Sequence, residues 1–266
     1  MGLRSIGSMS MIVGAVVSLV LIRAAAQVPA SPRATDVPRT QDGKPDLTGI
    51  WQVMNSAAWD IQDHQARKGV PAGMGVVEGN EIPYQPAALA KKRENFQNRE
   101  TADPEAKCYL PGVPRLMYMP FPFQIFQTPS EILMVYEYKG SVRTIYMDPH
   151  REAPTDSWMG WSNGHWEGDT LVVDVTSFND HTWFDRAGNY HSDELHVVER
   201  YTPISPYHIK YEATIEDPKV FTRPWKISFP LYRRVEENVQ LVEFNCVPFV
   251  EELMYAPLGL YKPPSK

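Results

Sequence analysis

The sequence predicts an all-β protein, an antiparallel up-and-down barrel with one helix on its N-terminal side. From residue 123 onward, short apolar/polar alternating runs follow one another: FQIFQT, EILMVYEY, SVRTIYMD, HWEGDTLVVDV, LHVVERYT, HIKYEATI, WKISFPLYRR and NVQLVEFNCV. Alternation with period two is the mark of strands that bury one face. Turn signals such as Lys139-Gly140 and Glu167-Gly168-Asp169 separate the runs by short connections, so consecutive strands are expected to be antiparallel neighbours. Closing such a sheet removes its exposed edges. A two-sheet sandwich would show the same alternation and stands as the alternative.

The first 26 residues read as a cleaved secretory signal: Arg4, an apolar run from Met11 to Ile22, then Ala24-Ala25-Ala26. The run is short for a membrane span. The expected product is therefore exported, periplasmic or secreted, with no membrane association after cleavage. Residues 27–47, rich in Pro, Asp and Arg, read as an extended linker, and 48–266 as a single barrel domain.

Its first strand is LTGIWQV, with Gly49 and Trp51. The helix is expected near 86–98, with Pro86 at its first position and Leu89 and Phe96 on one face. In YLPGVPRLMYMPFPF, prolines at 111, 114, 120 and 122 exclude a central strand, because each lacks a ladder donor. Cys108 and Cys246 are the only cysteines. In an oxidising compartment a disulfide is the expected state, with two buried thiols as the alternative.

Removing the leader with Arg4 and Arg23 takes the 26 basic residues to 24 against 32 acidic ones, a net charge of −8. Nucleic-acid binding is set aside, since phosphate contacts need clustered Lys and Arg. Lys91-Lys92-Arg93 reads as a solvated helix face.

The segment 177–194 breaks the pattern. It lacks any period and gathers Asp180, His181, Asp185, His191 and Asp193 among Trp183, Phe184 and Tyr190. Long irregular connections in compact domains are often lids or binding loops. We expect it to cover a pocket holding a small organic ligand, a carbohydrate or an aromatic compound.

Candidate chemistry comes from His/Asp pairs, since a histidine held by a carboxylate moves protons near neutral pH. His196 with Asp174 and His191 with Asp185 are the candidate catalytic pairs, and Arg143 would stabilise negative charge. Arg143, Asp174 and His196 each lie on a strand among apolar neighbours. Trp166, Trp183, Tyr190, Asn179 and Asp180 are the candidate substrate contacts, with Trp158 and Trp161 nearby. The reactions in view are hydrolysis, elimination or isomerisation, and the alternative is a non-catalytic carrier. Ser192 beside His191 makes no triad, and GxSxG is absent. His191, His196 and Glu199 superficially suggest a metal set, but His196 and Glu199 face opposite sides of a strand. No metal and no cofactor are expected.

The start Gly49-Ile50-Trp51 resembles the G-x-W opening of lipocalins. CYLPGVPR, PFPFQIFQT, WEGDTLVVDVTSFND, TWFDRAG and HSDELHVVERY resemble a large group of exported bacterial proteins, over most of the chain from PDLTGIW onward. The resemblance implies export and a single domain. It picks out Trp166, Glu167, Gly168, Asp169, Asp174, Asn179, Asp180, Trp183, Asp185, Gly188, His191, Ser192, His196, Glu199 and Arg200. His181 departs from the pattern.

Overall fold

The computed structural model describes residue 2, residues 37–67 and residues 70–259. The expected leader, apart from residue 2, and the linker up to residue 36 lie outside the described residues. Nine strands close into a barrel in sequence order: β1 (Gly49–Gln52), β2 (Phe123–Gln127), β3 (Glu131–Tyr136), β4 (Val142–Met147), β5 (Trp161–Glu167), β6 (Thr170–Thr176), β7 (His196–Ser205), β8 (His208–Glu216) and β9 (Trp225–Arg233). β1 closes the circle, pairing Trp51 with Phe123 on β2 and with Arg233 on β9. All the elements belong to the unit Pro32–Lys266.

Every neighbouring pair is antiparallel except β4 and β5, which run parallel with Ile145 opposite Ser162. Parallel neighbours need a crossover of about a dozen residues or more rather than a hairpin, and residues 148–160 supply it. The expectation of antiparallel neighbours throughout is corrected at this one step.

Inward positions follow the alternation. Val173 and Val175 on β6, Val197 and Tyr201 on β7, Tyr211 and Ile215 on β8 and Ile227 and Leu231 on β9 are all buried. Trp51 closes the lower end from within. Its indole N–H donates to the Leu47 carbonyl at 2.9 Å, and the Arg233 guanidinium carbon sits 4.4 Å from its ring. Gly49 has φ +144°, and a Cβ there would collide with Arg233.

The upper end, where β1 stops and β2 begins, carries the long connections 53–122, 177–195 and 217–224, which pack on one another as a cap. The Gln85 amide donates to the Val220 carbonyl at 2.9 Å, Thr222 to Pro83 at 2.8 Å and Arg186 to Ala58 at 3.2 Å. Helix α1 spans Pro86–Gln97, with Pro at its start as expected. It buries Ala88 and Asn95 rather than Leu89 and Phe96, which are half-buried. The rotation has a local cause. The Asn95 side chain donates to the Gly188 carbonyl at 3.3 Å, and Gly188, at φ +82°, lets the loop approach the helix so closely that a Cβ would lie 2.7 Å from the Phe96 nitrogen.

Cys108 and Cys246 are bonded, with Cα atoms 5.7 Å apart. The bridge ties the segment after β9 to the cap. The Phe249 amide reinforces it by donating to the Ala106 carbonyl at 2.9 Å. Among the described residues, no helix is long and apolar enough to cross a membrane.

Candidate functional site

The candidate residues fall into three separate places. His196 and Asp174 are neighbours on the outer wall of β6 and β7, the imidazole Nε2 lying 3.3 Å from each carboxylate oxygen, with Glu216 3.9 Å from Nδ1. Their side chains are 36% and 45% exposed. Alternation dictates this placement: Val197, Glu199 and Tyr201 take the interior, so His196, Val198 and Arg200 face out. Of Arg143, Asp174 and His196, which each lie on a strand among apolar neighbours, only Arg143 points inward.

Inside the barrel Arg143 meets Glu199. Both Nη groups bond its carboxylate, Nη1 at 3.2 Å, while Nε donates to Ser162 at 3.0 Å. The Tyr201 and Tyr211 hydroxyls donate to Glu199 Oε1 at 3.0 and 2.7 Å. Burial works against the Arg143 charge, but the Glu199 carboxylate outweighs it and raises the guanidinium pKa. Burial also raises the two phenols, with Glu199 adding to it. This is a closed network whose members are bonded to one another inside the barrel.

His191 and Asp185 lie in the cap, bonded to different partners. His191 Nδ1 is 2.8 Å from the Ser192 carbonyl, which only accepts, so Nδ1 carries the proton. Nε2 then accepts from the Thr182 hydroxyl at 2.6 Å. Burial lowers the imidazole pKa and keeps it neutral. Asp185 is fully buried and accepts from the amides of Ile61, Ala187 and Asn189 and from the Asn189 side chain. Burial first, and the charge of Asp60 second, raise its pKa to about 7. Asp217 is a second anchor, accepting from the Ser192 amide and hydroxyl at 2.6 and 2.9 Å. The irregular loop is therefore stitched into the cap by its own Asp185 and by Asp217 of the neighbouring connection.

The candidate substrate contacts scatter likewise. Trp183 and Tyr190 pair across the tight loop, and Tyr190 donates to the Ala88 carbonyl at 3.3 Å. Trp166 packs against the core. Asn179 accepts from the His181 amide at 3.2 Å, and Asp180 is exposed beside His181. His191, His196 and Glu199 occupy cap, outer wall and interior respectively. Among the described residues no group of three or more His, Cys, Asp or Glu is placed to hold a metal ion.

A pocket of about 310 Å³ opens elsewhere in the cap, lined by none of these residues. One wall is a trio of rings, Phe121, Tyr138 and Phe244, with centroids 4.3 to 5.5 Å apart. Trp59 stands on another side, with the Arg186 guanidinium 5.9 Å from its ring. Asp103, Glu105 and Arg186 also line it, and Arg115 lies behind them, 1% exposed. Arg115 bonds both Asp103 oxygens, at 3.0 and 3.1 Å, and Glu105 at 3.2 Å. Arg186 grips Glu105 through Nε and Nη2, at 2.5 and 2.8 Å. Burial would raise the Glu105 pKa, but Arg186 and Arg115 pull it below the usual range. The remaining wall is the segment around Cys246, held by the disulfide.

Arg186 is the one residue of the irregular loop that reaches this pocket, and sequence reading passed over it. The available signal was Arg115 in CYLPGVPR, a charge in a proline-rich stretch that the fold buries. Trp59 and Phe244 gave no signal, since nothing local distinguishes them from core aromatics. No protein-family model matches the chain, and no curated protein or solved structure matches it either.

Proposed function

We propose that this is an exported binding protein that holds a small organic molecule in the cap pocket. The observation that carries the reading is the pocket itself: a concave space at the small end of the ligand-site range, with aromatic walls, fixed charges beneath, and one side tethered covalently. Aromatic walls supply contact area and a few fixed polar groups supply orientation. The leader-like N-terminal sequence and the disulfide support export.

Carriage is favoured over acid–base catalysis because neither His/Asp pair reaches the pocket. His196 and Asp174 stand on the outer wall, and His191 is neutral and bonded at both nitrogens. The test is capture of metabolites from host extract by purified protein, followed by mass spectrometry, comparing the natural chain with Ala106→Phe. Ala106 lines the pocket, so a phenyl group there occupies it. A compound retained by the natural chain and lost from a folded Ala106→Phe supports the reading. Equal retention by both contradicts it.

A further inference from the structure

Most of the charge around the pocket is already cancelled. Its lining carries Glu100, Asp103, Glu105 and Glu252 against Arg99 and Arg186. Asp103 and Glu105 are engaged by Arg115 and Arg186. That leaves two exposed carboxylates, Glu100 and Glu252, to one guanidinium at the rim. Arg99 in turn lies over the Phe96 ring, 4.5 Å from its centre, and donates to the Phe96 carbonyl at 2.8 Å. Such an entrance offers a carboxylate no net attraction, and the paired charges beneath it have none to spare for an ion of either sign.

One buried side chain of the lining still has a donor to give. Tyr138 is 1% exposed, and its ring completes the aromatic wall with Phe121 and Phe244. Buried phenols ordinarily find a hydrogen-bond partner. Those of Tyr118, Tyr201 and Tyr211 donate to oxygens at 2.7 to 3.0 Å, and that of Tyr136 to methionine sulfurs at 3.2 Å. Among the described residues, the Tyr138 hydroxyl has only the Cys246 sulfur, at 3.8 Å, and sulfur is a weak acceptor. Burial raises the Tyr138 pKa and Glu105 adds to it, so the proton stays on the oxygen, ready to donate. Arg115, Asp103 and Arg186 also act on that proton, which sets the hydroxyl at the charged floor of the pocket rather than at its mouth.

We propose that the ligand is a neutral aromatic carbonyl compound. Its ring lies against Trp59, Phe121 and Phe244, and its carbonyl oxygen accepts from the Tyr138 hydroxyl. A carbonyl oxygen brings lone pairs without charge, which suits a single donor among charges that are already paired. An analogue lacking that oxygen leaves the buried hydroxyl without a good acceptor, and that loss is what discriminates against it. The proposal rests on the cap pocket being a ligand site, and goes beyond it by naming the chemistry of the ligand and the residue that selects it.

The experiment is equilibrium dialysis of the full chain against 2-acetylnaphthalene, against 2-isopropenylnaphthalene, in which a methylene group replaces the carbonyl oxygen, and against 2-naphthoate. The ketone is expected to bind about fivefold more tightly than the alkene, and the naphthoate more weakly than the ketone. In Tyr138→Phe, checked for an unchanged melting temperature, the ratio of ketone to alkene affinity should fall to about one. A purely structural role for the ring would move both affinities together and leave the ratio as it was. Equal binding of ketone and alkene by the natural chain, or a preference that survives Tyr138→Phe, overturns the hydrogen bond and leaves the pocket standing. Naphthoate binding more tightly than the ketone overturns the neutral ligand. Binding of none of the compounds overturns the pocket as an aromatic ligand site, and this proposal with it.

Discussion

Glu199 bonds Arg143 inside the barrel, while His196, three residues earlier on the same strand, stands on the outer wall against Asp174. One strand thus divides the titratable groups between a buried structural network and a surface pair.

Removing one member of the buried pair leaves the other charge without compensation, which costs about 3–5 kcal/mol. Glu199→Ala should lower stability by that amount in urea denaturation. Replacing both residues, as in Arg143→Met with Glu199→Leu, should recover much of the loss. A single substitution that costs less than about 1 kcal/mol would show that the network is not held as described.

The surface pair should matter little. His196→Ala is expected to change stability by no more than about 0.5 kcal/mol, as for other exposed positions, and to leave ligand retention unaltered. A large loss of retention would return function to the outer wall.

Asp185 and His191 should give opposite pH dependences. The Asp185 pKa is raised to about 7 in the folded chain. Its contribution is therefore fully present below the unfolded value and is lost as pH rises through about 7. The His191 pKa is lowered, so the unfolded chain takes up that proton first and stability falls as pH drops below about 6.5. Between about pH 4 and 7 the melting temperature of the natural chain should fall with rising pH relative to that of Asp185→Asn, and the two slopes should agree above that range. Parallel curves would contradict the assignment.

The disulfide should hold the pocket wall together. Opening a native bridge typically costs about 2–5 kcal/mol, and here its first effect should be local. Cys246→Ser should expose the segment after residue 234 to limited proteolysis while the barrel strands stay protected. Uniform cleavage along the chain would instead place the bridge in the global fold.

The barrel was legible because alternation is local: TLVVDVT and LHVVERY each state their two faces. Which face turns inward is a tertiary fact. On β7 Val197, Glu199 and Tyr201 take the inner face and His196 the outer one. The parallel step from β4 to β5 was written only in the length of 148–160. The pocket was not legible, since Trp59, Glu105, Phe121, Arg186 and Phe244 come from five distant segments that meet only through the cap and the disulfide.

Hydrogen–deuterium exchange with and without a saturating concentration of a compound retained from host extract tests the location of the site most directly. Protection is expected in residues 99–106, 119–121 and 244–250, with β6 and β7 unchanged. Protection centred on Asp174 and His196, or none in the cap, would contradict the account.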